Sequence, residues 1–210
     1  MSLAAAVKVI DIDSLVNDPR FLPHYGWVDT PHVFGAGAAI QQWRSEFLEF
    51  AAVLDSLNVN GKCLQLGLGM PGASHLVWSS LFNEAWTLDV DPNAVNSYLE
   101  RIPGSQRLVV GSTFDPNTKK QFLDKGPFDL LFIDADHSYM AARSDFFAWG
   151  ELVRHGGIIA LHDTVQGRNE PYPNPTMCVW LLIERLNEEG CKFTTIGTEL
   201  GISYTVKGQK

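Results

Sequence analysis

From Gly61 onward the sequence alternates short apolar runs with stretches of helical period, and this alternation restricts the available folds more than any other feature. The runs 62–66 (KCLQL), 85–89 (AWTLD), 107–110 (RLVV), 129–134 (DLLFID) and 157–161 (GIIAL) are too short for helices and are mostly flanked by Gly, Pro or Asp, so they read as strands. Strands that alternate with helices run parallel, joined by right-handed crossovers, with helices on both faces of the sheet. Two further runs, 192–196 (KFTTI) and 202–206 (ISYTV), are separated only by the turn 197–201 and must pair antiparallel. The expected architecture is α/β: a doubly wound, mostly parallel seven-stranded sheet with a C-terminal antiparallel strand pair.

Helices are marked by apolar spacing and by their starts. Ile40, Trp43, Phe47, Phe50, Leu54 and Leu57 recur at three- and four-residue steps and form one core-facing stripe. Asp91-Pro92 offers an N-cap followed by a first-turn proline, and Asn174-Pro175 predicts the same for a helix ending near Gly190, deeply packed from Met177 to Ile183. No repeat or Gly/Ser linker divides the chain, so residues 1–210 are expected to form one domain. Within it, 1–60 would supply an N-terminal loop and helix serving as a substrate lid, and 61–206 the cofactor-binding core. Residues 163–175 are long for a connection and are a second candidate lid. Residues 21–37 carry His24, Tyr25, Trp27, His32 and Phe34 as candidate pocket lining, although loop aromatics more often fill a core.

Composition excludes several classes. The 210 residues are 45% hydrophobic, enough for a sizeable core. With 24 acidic against 16 basic residues and no Lys/Arg cluster, a phosphate-neutralising surface is absent and no nucleic-acid partner is expected. No apolar run approaches the roughly 20 residues of a membrane span. The first residues lack the basic start of a secretory signal, and Cys63, Cys178 and Cys191 have no paired spacing. The expectation is a cytoplasmic protein with reduced thiols, and a homodimer by the prevalence of two-fold assemblies.

In open α/β sheets ligands bind beyond the carboxyl ends of the strands. The first strand leads into Gly67-Leu68-Gly69-Met70-Pro71-Gly72, where glycines allow positive φ and close approach of backbone to a ligand. Such a turn alone can be purely structural. The second strand ends at Asp89, about 20 residues on, where a carboxylate can accept from a ribose diol. Together they point to an adenosine-containing cofactor, either a dinucleotide or S-adenosylmethionine. The fourth strand ends in Asp134-Ala135-Asp136-His137, and the fifth in His162-Asp163-Thr164. These carboxylates and imidazoles converge on the edge that carries the glycine loop and are sound ligands for a divalent cation. The plain alternative is a pair of capped strand ends.

The stretches LQLGLGMPG, TLDVDP, RLVVGSTFD, FDLLFIDADHSY and GGIIALHDT, with the antiparallel finish, resemble a class I S-adenosylmethionine-dependent methyltransferase with its Rossmann-like fold. FIDADHSY followed by LHDT is similar to the small O-methyltransferases of methyltransferase family 24, which include cephalosporin-hydroxylase-like and macrolide-sugar enzymes. The resemblance implies cofactor contacts from Gln65, Gly67, Gly69, Gly72, Asp89, Gly111, Ser112 and Asp134. It implies a cation on Asp134, His162 and Asp163, with His137 and Asp134 as catalytic residues. Two positions depart from the pattern: Gln65 stands where relatives carry an acid, and His162 where they carry a carboxylate, which shifts metal preference toward Mn²⁺, Zn²⁺ or Fe²⁺ or removes it.

The expected reaction is methyl transfer to a hydroxyl of a small-molecule acceptor, assisted by Mg²⁺, Mn²⁺ or another divalent cation. Two alternatives remain at this stage. The glycine pattern and Asp89 also suit an NAD-dependent oxidoreductase, and Gln65 with His162 suits a non-catalytic S-adenosylmethionine-binding protein.

Overall fold

Period-two alternation inside the short apolar runs assigns their side chains to two opposite faces. In the computed structural model, which describes residues 12–24, 26–29, 38–168 and 174–209, five of these runs form β1 (Lys62–Leu66), β2 (Glu84–Asp89), β3 (Leu108–Val110), β4 (Phe128–Ile133) and β5 (Val153–His162). The last two form β6 (Thr194–Ile196) and β7 (Ile202–Val206). They make one seven-stranded sheet in the order β3-β2-β1-β4-β5-β7-β6. The pairs β1–β2, β1–β4, β2–β3 and β4–β5 are parallel, while β7 is antiparallel to both β5 and β6. The expected architecture is borne out.

Cys63, Leu130, Phe132, Ile158 and Ala160 point to one face, where α1 (Ile12–Val16), α2 (Arg44–Ser56), α3 (Ala73–Leu81) and α4 (Pro92–Arg101) pack. Trp78 of α3 anchors this layer, with ring centroids 5.0 Å from both Phe47 and Phe132. Leu64, Leu66, Leu131, Ile133, Ile159 and Leu161 point to the other face, against α6 (Tyr139–Gly150) and α7 (Val179–Glu188). A short α5 (Pro116–Lys120) follows β3, capped by Asp115.

Asp91 caps α4, its Oδ1 accepting from the Asn93 N–H at 2.9 Å. Three boundaries differ from expectation by more than two residues. The stripe from Ile40 becomes helical only at Arg44, so residues 40–43 are loop. Asn174 caps an isolated turn, accepting from the Thr176 N–H at 3.0 Å, and α7 starts at Val179 after Cys178; within it Trp180 and Leu181 stay half-buried. Strand β5 begins at Val153 rather than 157, because the polar residues 154–156 extend an apolar strand beyond the part that packs. The candidate lid residues Tyr25, His32 and Phe34, with 169–173 of the second loop, lie outside the described residues. Trp27 is buried and donates to Asp13 Oδ1 at 2.9 Å, so it serves packing. Among the described residues no helix is long and apolar enough to cross a membrane.

Candidate active site

The carboxyl ends of β1, β2, β3 and β4 open onto one cavity of about 440 Å³. Its floor is the turn after β1. Gly67 adopts φ +89°, and any side chain there would collide with the Asp134 carbonyl. Gly72 (φ +85°) precedes α3 as its N-terminal flank. Asp89 holds this turn from the side: its Oδ2 accepts from the N–H groups of Leu68 (2.7 Å) and Gly69 (3.2 Å), and its Oδ1 from Asp91 (2.8 Å). Gly111 and Ser112 form the wall after β3. Met70, Val90 and Phe114 stand at the mouth, between 54 and 69% exposed, which gives this face of the cavity bare apolar surface.

Gln65 lies beneath the turn and does not line the cavity. It is buried, with its amide N–H groups donating to Gly67 O (2.7 Å) and Ser74 Oγ (2.9 Å), while its Oε1 accepts from Thr87 Oγ1. A residue with all its hydrogen bonds closed inside the protein braces the loop.

At the opposite end the strand ends of β4 and β5 bring four titratable groups together. Asp134 Oδ1 lies 3.2 Å from His162 Nδ1 and 3.4 Å from His137 Nε2; Asp163 Oδ2 lies 3.2 Å from each of these nitrogens. Asp163 sits at φ +56°, a left-handed conformation disfavoured for a residue with a side chain. Its neighbour Thr164 is fixed to the β6–β7 hairpin through Ser203 Oγ (2.8 Å) and the carbonyl of Gly201. Ser138 caps α6, its Oγ accepting from Ala141 N–H, so His137 is not spent on capping.

Charge within the cluster follows from this geometry. Burial raises the Asp134 carboxyl, but His162 and His137 outweigh it and hold Asp134 well below the usual carboxylate range. Burial likewise opposes charge on both imidazoles, and the two carboxylates overcome it, so His137 and His162 are raised. Two carboxylates and two imidazoles therefore meet within 3.2–3.4 Å of one another. The His137 contacts do not close as aligned hydrogen bonds, and buried His162 Nε2 has no partner.

Asp134, His162 and Asp163 each offer one ligand atom, and these atoms lie within 4.8 Å of one another. Ligands about 2.1 Å from a divalent cation and at right angles to each other lie about 3.0 Å apart, close to the 3.2 Å edges measured here. Two carboxylates and an imidazole are also an appropriate donor set for a first-row divalent metal. The residues therefore fit a cation.

One lining residue has no counterpart in the sequence reading. Gln42, in the loop before α2, is 2% exposed and donates from Nε2 to Asp134 Oδ2 at 2.7 Å, across 92 positions of sequence. The only sequence signal was the polar pair Gln41-Gln42 interrupting the apolar stripe.

A parallel sheet reversed at its end by an antiparallel pair, with a glycine turn after β1 and an acid closing β2, defines a Rossmann-like methyltransferase fold. Residues 66–164, somewhat under half of the chain, match a family model described as a methyltransferase domain, and the resemblance read from the sequence is borne out. No match was found among curated proteins. Solved structures give the same fold. A crystal structure described as a putative caffeoyl-CoA O-methyltransferase from Staphylococcus aureus superposes with TM-score 0.63 at 15% identity, covering 80% of this chain and 85% of that one. The O-methyltransferase from Bacillus cereus, in complex with S-adenosylhomocysteine, gives 0.60 at 18% identity over 98% and 90%. MycE methyltransferase of mycinamycin biosynthesis, in complex with Mg, S-adenosylhomocysteine and mycinamycin VI, gives 0.62 at 19% identity; the match covers 95% of this chain but only 55% of MycE.

Proposed function

We propose that the protein transfers the methyl group of S-adenosylmethionine to a hydroxyl of a small molecule. The observation that carries this reading is one continuous cavity lined at one end by the glycine turn, Asp89, Gly111 and Ser112, and at the other by Asp134 and His137. A nucleoside thioether laid along it has its apolar ring beside Val90 and Phe114 and its reactive end toward the acidic cluster. The matching folds named above with bound S-adenosylhomocysteine support the choice of cofactor over NAD⁺.

In this reading the backbone N–H groups of Leu68 and Gly69 and the Asp89 carboxylate exchange their mutual bonds for bonds to the ligand. Gly67, Gly69 and Gly72 let the main chain approach it closely. The sulfonium is already activated, so the protein chiefly holds the acceptor oxygen in line with the methyl group and removes its proton. In its neutral form His137 takes that proton at Nε2. Asp134, His162 and Asp163 would hold a divalent cation, which when bound supplies charge that neutralises the carboxylates and acidifies a hydroxyl beside it.

Thermal unfolding with saturating S-adenosylhomocysteine or NAD⁺ tests the cofactor, because a ligand of the folded state alone raises the midpoint. A rise with S-adenosylhomocysteine only is expected; a rise with NAD⁺ only overturns the reading. With an acceptor in hand, His137→Ala is expected to lower turnover about 100-fold or more at unchanged S-adenosylhomocysteine affinity. Equal losses in both would make His137 structural.

A further inference from the structure

The amide of Gln42 has two ends, and the structure employs only one. Nε2 must face Asp134 Oδ2, because two oxygens at 2.7 Å would repel; Oε1 is therefore turned away from that carboxylate. Oε1 is buried and has no hydrogen-bond partner. An acceptor taken out of water with no donor is costly, and Gln42 is itself part of the cavity lining, beside Gln41, Gly67 and Ser74. A donor on the cavity's ligand would remove that cost.

The surroundings specify what kind of donor. The cavity is lined by three carboxylates, Asp89, Asp134 and Asp136, against one imidazole, His137, and by no Lys or Arg among the described residues. That field favours a cationic N–H over a neutral hydroxyl. The pull of Asp134 on the amide N–H also polarises Gln42 and makes its Oε1 a better acceptor.

We propose that Gln42 is the specificity-determining residue for a primary ammonium on the cavity's ligand, its Oε1 accepting from that group while Asp134 fixes the amide orientation. This rests on the methyltransferase reading, in which the ammonium is that of the cofactor's methionyl tail. Gln42 thereby ties the cofactor's amino-acid end to the carboxylate at the acceptor end.

The test uses three probes on the intact protein by calorimetry: S-adenosylhomocysteine, its analogue lacking the amino group, and 5′-methylthioadenosine, which lacks the whole tail. The wild type is expected to favour S-adenosylhomocysteine over the deamino analogue by about tenfold or more. In Gln42→Met, of similar volume, that preference should collapse to within about twofold while 5′-methylthioadenosine binding holds, which also reports that the cavity is intact. A Gln42→Met protein that keeps the wild-type preference overturns the proposal and leaves the cofactor reading standing. Wild-type protein that binds none of the three probes overturns both.

Discussion

Two buried side chains outside the cavity lean on stability in opposite directions. Burial pushes the Asp145 carboxyl of α6 up to about 6, against a weaker opposing contact from Thr113. The folded state then holds a proton that the unfolded chain releases near 3.8, so stability falls as pH rises through this window, by about 3 kcal/mol in full. Asp145→Asn should unfold at higher temperature than wild type at pH 7.5 and nearly match it at pH 3.5. His75 runs the other way. Burial brings its ring down to about 4, so its contribution is complete above pH 6.5 and is lost as pH falls toward 4. Urea midpoints of His75→Gln should therefore change less between pH 7 and 4.5 than those of the wild type. At Gly67, alanine meets both a left-handed φ and the Asp134 carbonyl, whereas Gly69 has open space around a built Cβ. Gly67→Ala should cost at least about 3 kcal/mol and Gly69→Ala about 1 kcal/mol, read by denaturant titration. The Asp134, His137, His162 and Asp163 constellation was legible in the sequence because strand ends on one edge must converge. Gln42 was not, since nothing local links a loop residue to a partner 92 positions away, and the internal role of Gln65 depends on Ser74 and Thr87, which only packing brings near.

At the scale of elements, α2 is tied to the far edge of the sheet by one carboxylate. Glu46 is 2% exposed, and its two oxygens accept from the N–H groups of Glu199 and Gly201, each at 2.9 Å, in the turn between β6 and β7. Glu46→Ala strands the buried Gly201 donor and frees the more exposed Glu199 one, and should cost about 1–3 kcal/mol. Hydrogen exchange should show the Glu199 and Gly201 amides losing protection while β1 and β4 keep theirs; unchanged protection would deny the tie. This turn also positions Thr164, next to Asp163, so the hairpin reaches the candidate site through the Thr164 N–H bond to Gly201 O and the Ser203–Thr164 hydroxyl pair. Strand existence and order of elements were readable because apolar runs of four to six residues have few alternatives. The start of α7 was not: Asn174-Pro175 is a sound helix start by local chemistry, yet a turn closed by Met177 N–H on Asn174 O satisfies it first.

For the molecule as a whole, doubly wound topology places every chemically equipped loop on one edge, which is why fold and candidate site could be read together. The mixed end of the sheet was legible from the five-residue turn alone. Its sequence order has a further effect during synthesis. Strand β5 finds its second neighbour only in Ile202–Val206, some 40 residues later, and both faces of its Ile158–Leu161 segment are apolar. While those residues are still inside the ribosome, the emerging protein displays an open, greasy β-edge next to an otherwise paired β1–β4 platform. Nascent chains halted before residue 202 should accordingly recruit chaperones or self-associate, and emergence of Ile202–Val206 acts as a latch that covers this edge.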